Sequence, residues 1–276
     1  MRFRVALCNE VVRRVAFGAQ CEFARACGYD GLELAPFTLS DAPERISPAL
    51  IAALRRDAAA AGIAISGLHW LLVAPPGLAL ASEDRAVRTR SQDMMLRLIE
   101  LCASLGGSYL VHGSPAQRML PPGVAEARGW VEEAFLRAGA AAADAGVTYI
   151  VEALTPAQTN CFTTVAEAAE FVRRAQLPGL RTMLDTCAAA RADSEPPEAV
   201  LARWLPSGLI AHVHLNDANQ RGPGQGKQQF APVLRVLRDG GYDRWIGIEP
   251  FQYSPDGAAT AARAIGYLRG IEECLG

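Results

Sequence analysis

Short apolar runs alternate along the chain with longer segments in which alanine and leucine recur at helical spacing. Glycines such as Gly28, Gly62 and Gly146 stand where the helical segments would end, a common position for a helix cap. Strands that alternate with helices are typical of a parallel sheet. The pattern predicts strands at residues 3–8, 31–35, 63–69, 108–112, 147–152, 180–185, 209–215 and 245–249.

Helical periodicity occupies most of the intervals between these strands. The segment 71–81 contains Pro75 and Pro76, and we expect it to be a loop over the carboxyl ends of the strands. The predicted helices are residues 17–27, 48–61, 83–105, 124–145, 165–175, 198–205, 230–238 and 258–274.

Two architectures share this alternation, a closed (β/α)8 barrel and an open doubly wound sheet. A dinucleotide-binding open sheet carries a glycine-rich turn after its first strand, but residues 9–12 of this chain contain no glycine. The eight βα units and the length of 276 residues fit the barrel. We therefore predict an α/β fold in which residues 1–276 form a single (β/α)8 TIM barrel domain.

Composition and charge narrow the functional class. The net charge of −2 argues against a nucleic-acid surface, which normally carries excess Lys and Arg. The seven cysteines are scattered without a C-x-x-C pair, as expected for reduced thiols. The amino terminus lacks the apolar core of a signal peptide, and the apolar stretch 68–81 is too short to span a bilayer. We expect a cytoplasmic protein with no membrane or nucleic-acid partner.

Four consecutive strands, the fifth to the eighth, end in polar residues: Glu152, Asp185, His214 and Glu249. Adjacent strands lie about 4.8 Å apart, so side chains from four neighbouring strand ends can converge on one ion. Three carboxylates and an imidazole suit Mn²⁺ or Mg²⁺, and Zn²⁺, Co²⁺ or Fe²⁺ are also compatible. An acid at a strand end can instead cap the next helix, an interpretation that fits Asp185 best.

Histidines and a further acid stand near the same strand ends. His212 and His214 share strand parity, so both face the lumen if either does, and His212 would orient its neighbours or fill the core. His69 and His112 end the third and fourth strands, where they would bind substrate oxygens or bond a loop carbonyl. Glu33 fits a salt bridge at the barrel rim.

The segment after the seventh strand is rich in glycine between Gly222 and Gly226. Its backbone amides, together with Arg221 or Lys227, could hold a phosphate, but such loops are also ordinary tight turns. Three aromatic residues beside strand ends could form walls of the pocket: Phe37, Trp70 and Phe251.

Several stretches make the chain resemble a known superfamily. They are Val151-Glu152-Ala153-Leu154-Thr155, Leu184-Asp185-Thr186, residues 212–217 with 222–226, and residues 241–243 leading to Gly247-Ile248-Glu249-Pro250. In these stretches the chain is similar to the xylose isomerase-like barrels, in particular the ketose 3-epimerases and hydroxypyruvate isomerase. The resemblance implies one divalent ion held by Glu152, Asp185, His214 and Glu249.

The resemblance also implies the chemistry, which is proton abstraction from a carbon next to a carbonyl through an enediolate. The ion would stabilise the developing charge as a Lewis acid. Glu152 and Glu249 end the fifth and eighth strands, so they could flank the substrate from opposite sides. One carboxylate could then remove a proton while the other delivers one. The expected enzyme is a metal-dependent isomerase or epimerase of a sugar, a sugar phosphate or a small hydroxy-carbonyl compound.

At three positions the chain departs from the epimerases that it resembles. Ala188 stands where they carry a histidine, Gln158 where they carry a glutamate, and Gln220, with Arg221 beside it, where they carry an arginine. These groups would hold substrate hydroxyls, so the substrate can differ. The substrate-binding candidates are His69, His112, Gln158, His212, Gln220 and Arg221.

Alternative functions share the scaffold. A dehydratase of the inosose or dehydroshikimate type begins with the same carbanion and then loses water. A phosphodiesterase similar to endonuclease IV uses three zinc ions and needs more imidazoles than the four histidines readily provide. A non-catalytic binding role would leave the four predicted ligands without a purpose. The oligomeric state, including a homo-oligomer, is open.

Overall fold

Eight parallel strands close into a barrel in the computed structural model, which describes residues 2–275. Neighbours in the barrel follow chain order, and the last strand pairs with the first to close it. This confirms the predicted (β/α)8 architecture and excludes the open sheet. The strands are β1 Arg4–Cys8, β2 Gly31–Leu34, β3 Ala64–Leu68, β4 Tyr109–His112, β5 Thr148–Val151, β6 Leu180–Asp185, β7 Ile210–Leu215 and β8 Trp245–Ile248.

Helices surround the barrel in the intervals that the periodicity predicts. They are α1 Phe17–Cys27, α2 Pro48–Ala61, α3 Arg85–Leu105, α4 Ala127–Asp144, α5 Val165–Ala175, α6 Thr186–Ala192, α7 Pro197–Trp204, α8 Ala231–Asp239 and α9 Gly257–Leu275. The sequence analysis missed α6, because its 7 residues are too few for a helical period to stand out. This helix begins directly at the end of β6 and forms part of the barrel mouth.

The apolar core has two parts. The larger part fills the layer between the strands and the helices. The smaller part is a cluster inside the lumen, formed by Tyr109, Val111, Ile150, Met183 and Ala211. These side chains lie below the carboxyl ends of their strands, so the polar residues at those ends lie above an apolar floor.

Within residues 2–275, no helix combines the length and the apolar character that a bilayer crossing requires.

Candidate metal and active site

The four predicted ligands meet at the carboxyl end of the barrel. Glu152 follows β5, Asp185 ends β6, His214 lies one residue before the end of β7, and Glu249 follows β8. One ligand atom from each lies within 4.8 Å of the others, and all four side chains are buried. Strand pairing places Asp185 beside His214, which explains why residues distant in sequence converge.

Asp185 serves two purposes with its two oxygens. Oδ1 accepts a hydrogen bond of 2.6 Å from the backbone N–H of Ala188 and thereby caps α6. Oδ2 is buried and has no hydrogen-bond partner in the described part of the chain. The helix-cap interpretation is therefore correct, and it leaves the second oxygen free to bind an ion.

His214 is oriented by a buried carboxylate. Its Nε2 lies 3.0 Å from Glu33 Oε1, which leaves Nδ1 to face the ligand cluster. Nδ1 is 3.0 Å from Glu249 Oε2 but makes no hydrogen bond with any described residue. A histidine that donates one ring N–H to a carboxylate and directs the other nitrogen at oxygen ligands is the usual arrangement in metal sites.

Glu33 lies deeper in the barrel than the sequence analysis predicted, which placed it in a salt bridge at the rim. Its side chain is 0% exposed, in the lumen beneath the cluster. Besides His214 it contacts His212 Nε2 at 3.0 Å and accepts a 2.7 Å hydrogen bond from the Tyr109 hydroxyl. Burial opposes its ionisation, but the adjacent His214 and His212 hold the pKa of Glu33 well below its usual value. Glu33 thus holds both histidines of β7.

Glu249 is held by donors on its other oxygen. Oε1 lies 3.0 Å from His69 Nδ1 and accepts a 2.9 Å hydrogen bond from the Trp70 indole N–H. His69 Nε2 in turn lies 3.0 Å from Glu10 Oε2. Trp70 has a φ of +52°, a rare backbone conformation for a large residue. The same residue donates the indole hydrogen bond to Glu249.

The electrostatics of the cluster favour a cation. Burial and the nearby Glu249 raise the pKa of Glu152 well above its usual value and raise the pKa of Asp185 to about 6. Burial acts in the same direction on Glu249, but His214 outweighs it and lowers the pKa of Glu249 to about 2. Glu152 and Asp185 thus lack sufficient compensating positive charge, and a divalent ion would supply it.

Other groups of ligand atoms in the described residues fit an ion less well. One consists of Cys8, Glu33, His69 and His214, and another of Glu10, His69 and Glu249. In both groups the nitrogens of His69 already lie within hydrogen-bond distance of Glu10 and Glu249. Of the three groups found within residues 2–275, only one combines an unpartnered carboxylate oxygen with an unpartnered imidazole nitrogen, namely Glu152, Asp185, His214 and Glu249.

A pocket of about 180 Å³ opens above the cluster. It reaches Glu152 and Glu249, and three of the predicted substrate-binding residues line it, namely His69, Gln158 and Gln220. Of the aromatic residues singled out from the sequence, Trp70 and Phe251 line the pocket with their rings 6.2 Å apart, whereas Phe37 packs behind Trp70.

Two predicted substrate-binding histidines lie elsewhere. The His112 ring packs against Phe135 of α4, with ring centroids 4.9 Å apart, and its Nδ1 lies 2.7 Å from the Tyr149 hydroxyl. It therefore occupies the layer between strand and helix. His212 faces the lumen, as parity predicts, but stacks on Tyr109 at 4.3 Å below the pocket. Its role is to hold Glu33, which corrects the expectation of substrate contact.

Arg221 and the glycine-rich loop also lie outside the pocket. The Asp217 carboxylate accepts hydrogen bonds from the backbone N–H groups of Asn219 at 3.1 Å and Gln228 at 2.9 Å. The same carboxylate packs against Gly226, so its negative charge lies beside the loop and disfavours a phosphate there. The loop fits the tight-turn interpretation, and Arg221 is exposed at its edge.

Arg118 is a residue of the site region that the sequence analysis did not single out. It is 0% exposed, and none of its three guanidinium nitrogens has a hydrogen-bond partner among residues 2–275. Its charge lowers the pKa of the neighbouring Glu152, against the effect of burial. Nothing in the sequence distinguishes this arginine from the surface ones, because only the fold buries it.

A family model described as "Xylose isomerase-like TIM barrel" matches residues 21–271. The chain belongs to the xylose isomerase-like TIM barrel family. This finding confirms the resemblance seen in the sequence.

Curated relatives of this family member are sugar epimerases by name. D-psicose 3-epimerase of Agrobacterium fabrum is 26% identical over 243 residues, which span 85% of this chain and 79% of that protein. A probable ketose 3-epimerase of Synechocystis sp. is 23% identical over 250 residues, spanning 87% of this chain and 80% of that protein. Fructoselysine 3-epimerase of Shigella flexneri is 24% identical over 172 residues, 60% of each chain.

Solved structures share the whole fold of this barrel. A D-psicose 3-epimerase crystallised in the presence of D-fructose superposes with a TM-score of 0.81 at 20% identity, covering 98% of this chain and 99% of that one. The apo form of a 3-keto-D-glucoside 4-epimerase from E. coli gives a TM-score of 0.83 at 18% identity, covering 98% and 100%. At such identities the likeness establishes the architecture.

Proposed function

We propose that this protein is a divalent-metal-dependent epimerase or isomerase of a small hydroxy-carbonyl carbohydrate, related in activity to the ketose 3-epimerases. The observation that carries the proposal is the convergence of Glu152, Asp185, His214 and Glu249 at the floor of a pocket, with ligand atoms within 4.8 Å. The names of the curated relatives support the same class of reaction.

The donor set suits Mn²⁺ or Mg²⁺, with three carboxylate oxygens and one imidazole nitrogen from the four residues of the cluster. When bound, the ion would supply Lewis-acid stabilisation of the negative charge that develops on substrate oxygens. Glu33 would keep His214 in the tautomer that directs Nδ1 at the ion.

Glu152 and Glu249 are the proposed acid–base pair, and their surroundings differ. Glu249 Oε1 is held by His69 and Trp70, whereas the Glu152 carboxylate receives no hydrogen bond from any described residue. The pKa of Glu152 is raised and that of Glu249 is lowered, and separation of two carboxyl pKa values is typical of acid–base pairs. One carboxylate would remove a proton beside the carbonyl, and the other would return a proton to the enediolate.

The walls of the pocket fit a small polar substrate. Trp70, Leu154 and Phe251 supply apolar surface that limits water around the reacting carbon. Gln158 Oε1 accepts hydrogen bonds from the backbone N–H and hydroxyl of Thr155 at 3.2 and 2.9 Å. This leaves the Gln158 amide N–H groups to donate to a substrate oxygen.

The test is proton exchange in D₂O with Mn²⁺-loaded protein and a panel of ketoses, followed by NMR and mass spectrometry. We expect deuterium at one carbon next to the carbonyl and a product with no loss of water. Glu152→Gln and Glu249→Gln should each lower the exchange rate by at least about 100-fold, because general acid–base catalysis contributes about 10²–10⁴.

The exposed Glu83→Gln is the matched control and should exchange at the wild-type rate. Near wild-type exchange in both site variants would contradict the acid–base assignment. A product that has lost water and absorbs in the ultraviolet would replace the epimerase proposal with a dehydratase.

A further inference from the structure

The pocket continues from the ligand cluster toward α6, and the Glu152 and Asp185 carboxylates line this part of it. A narrow extension of about 20 Å³ shares Glu152, Leu154, Gln158, Gln220 and Phe251 with the main pocket. Its far wall is formed by Cys187, Ala188 and Arg191 of α6. The extension is therefore a narrow arm of the same cleft with the volume of about one water molecule, so only the end of a substrate, and no second ring, could reach into it.

Arg191 stands at this distal end without an ion-pair partner in the part of the chain that the structure describes. It is exposed at the mouth, one helical turn after Ala188. Two acids follow it closely in sequence: Asp193 forms no ion pair with a described residue, and Glu195 forms its ion pair with Arg203. Ala188 and Arg191 both line the extension, and Ala188 contributes only a methyl group to its wall.

The polar groups of the extension outside the metal cluster are chiefly hydrogen-bond donors. Gln158 keeps its amide N–H groups free because Thr155 occupies its oxygen. Gln220 Oε1 lies 3.2 Å from Gln252 Nε2, which leaves the Gln220 amide N–H groups for the cleft. An arginine beside amide donors matches a group with several acceptor oxygens and a negative charge.

From this arrangement we propose that the substrate carries an anionic terminal group, a carboxylate or a phosphate, which Arg191 binds at the α6 end of the cleft. The inference rests on the proposed function for the position of the reacting carbon. It deepens that function by assigning the substrate to the acidic ketoses rather than the neutral ones.

The kinetic test compares one ketose with three different groups at C6: D-fructose, D-fructose 6-phosphate and D-fructuronate, each also supplied as its C3 epimer. With Mn²⁺-loaded protein we expect kcat/KM to be at least about tenfold higher for an anionic member than for the neutral ketose, as one charge-assisted contact allows. Arg191→Gln should remove this preference by raising KM for the anionic ketose. The kcat for that ketose and both constants for the neutral ketose should change little. Arg191→Lys should retain part of it.

The control is Arg174→Gln, which removes an exposed arginine of α5 and should leave all kinetic constants unchanged. A preference for the phosphate or for the carboxylate identifies which anion Arg191 holds. Equal kcat/KM for the neutral and anionic ketoses in the wild type, or an equal loss for both in Arg191→Gln, would overturn the proposal.

A binding measurement separates this inference from the proposed function. Calorimetry with glucitol, glucitol 6-phosphate and gluconate uses probes that lack the reactive ketone, so it is independent of turnover. We expect tighter binding of an anionic probe and loss of that difference in Arg191→Gln. If no ketose exchanges deuterium but this difference persists, the epimerase proposal fails and the anion site stands. Equal affinity for all three probes would refute the anion site.

Discussion

At the scale of single residues, two glycines provide the space that the ligand cluster occupies. A Cβ added to Gly113 would lie 1.8 Å from Glu152 Oε2. A Cβ added to Gly247 would lie 2.6 Å from the His214 ring and 2.7 Å from Glu33 Oε2. Both glycines are required by close approach of a buried functional side chain, and neither is required by a turn.

The Gly113→Ala variant should therefore displace the Glu152 carboxylate. We expect Mn²⁺ affinity to fall by about 10- to 100-fold, the range seen when groups that orient metal ligands are changed. Isothermal titration of the metal-free protein measures the effect. Gly129→Ala in α4 is the control, because its Cβ would meet nothing within 4 Å. Unchanged Mn²⁺ affinity in Gly113→Ala would show that Glu152 does not hold the ion.

At the scale of elements, α5 is anchored by a reciprocal cap. Thr164 Oγ1 accepts a hydrogen bond of 3.2 Å from the Glu167 N–H, and Glu167 Oε2 accepts one of 2.6 Å from the Thr163 N–H. Glu167 Oε1 also accepts a 2.8 Å hydrogen bond from Arg128 of α4. The cap lies at the end of the β5–α5 connection. This connection carries Gln158 of the pocket wall, so the cap also fixes one end of that wall segment.

Glu167 gives this cap a pH dependence. Burial opposes ionisation of Glu167, but hydrogen bonds from Thr163 and Arg128 outweigh it and lower its pKa below the ordinary 4.5. The stabilisation is present above pH 4.5 and is lost as the pH falls through the lower pKa of the folded state. We expect Glu167→Gln to lower the free energy of unfolding at pH 7 by about 1 kcal/mol.

Urea unfolding of metal-free protein at pH 7 and at successively lower pH values below 4.5 measures this dependence. The difference between wild type and Glu167→Gln should shrink toward acid pH. Glu170→Gln, which alters an exposed pair with Arg173 on the same helix, is the control and should show a small difference. A difference for Glu167→Gln that does not change with pH would contradict the assignment.

At the scale of the whole molecule, barrel closure forces the carboxylates of β5, β6 and β8 together. Because burial and mutual repulsion raise the pKa of Glu152 and Asp185, the metal-free barrel holds a cluster that a cation would stabilise. Binding of an ion to the folded state alone adds stability according to its concentration and affinity.

Addition of Mn²⁺ at about 100 times its Kd should raise the melting temperature by about 5 °C or more, and a chelator should reverse the shift. Asp185→Asn should remove most of it while retaining the cap of α6, because Asn is also a good N-cap residue. Asp144→Asn, at the exposed end of α4, should respond to Mn²⁺ like the wild type. If divalent ions left the melting temperature of the wild type unchanged, this result would count against the metal site.

Local pattern was sufficient for the strands, the long helices and the four polar residues that converge at the barrel mouth, because each depends on residues close in sequence. Local pattern did not predict α6, and it did not predict the face of β4 on which His112 lies. Both faces of a parallel barrel strand are apolar, so hydrophobicity does not reveal which face of β4 points into the lumen. The lumen belongs to Tyr109 and Val111, and His112 consequently faces α4.

The sequence by itself therefore determined the barrel, its family and the residues able to hold a cation at its mouth. Only the tertiary structure decided that Glu33 lies beneath the cluster and holds both histidines of β7, that Asp217 occupies the glycine-rich loop, and that Arg191 ends the cleft. The physical reason is that strand parity and helix periodicity act within one element. Distances between β2, β7 and α6 depend instead on strand register and on closure of the sheet.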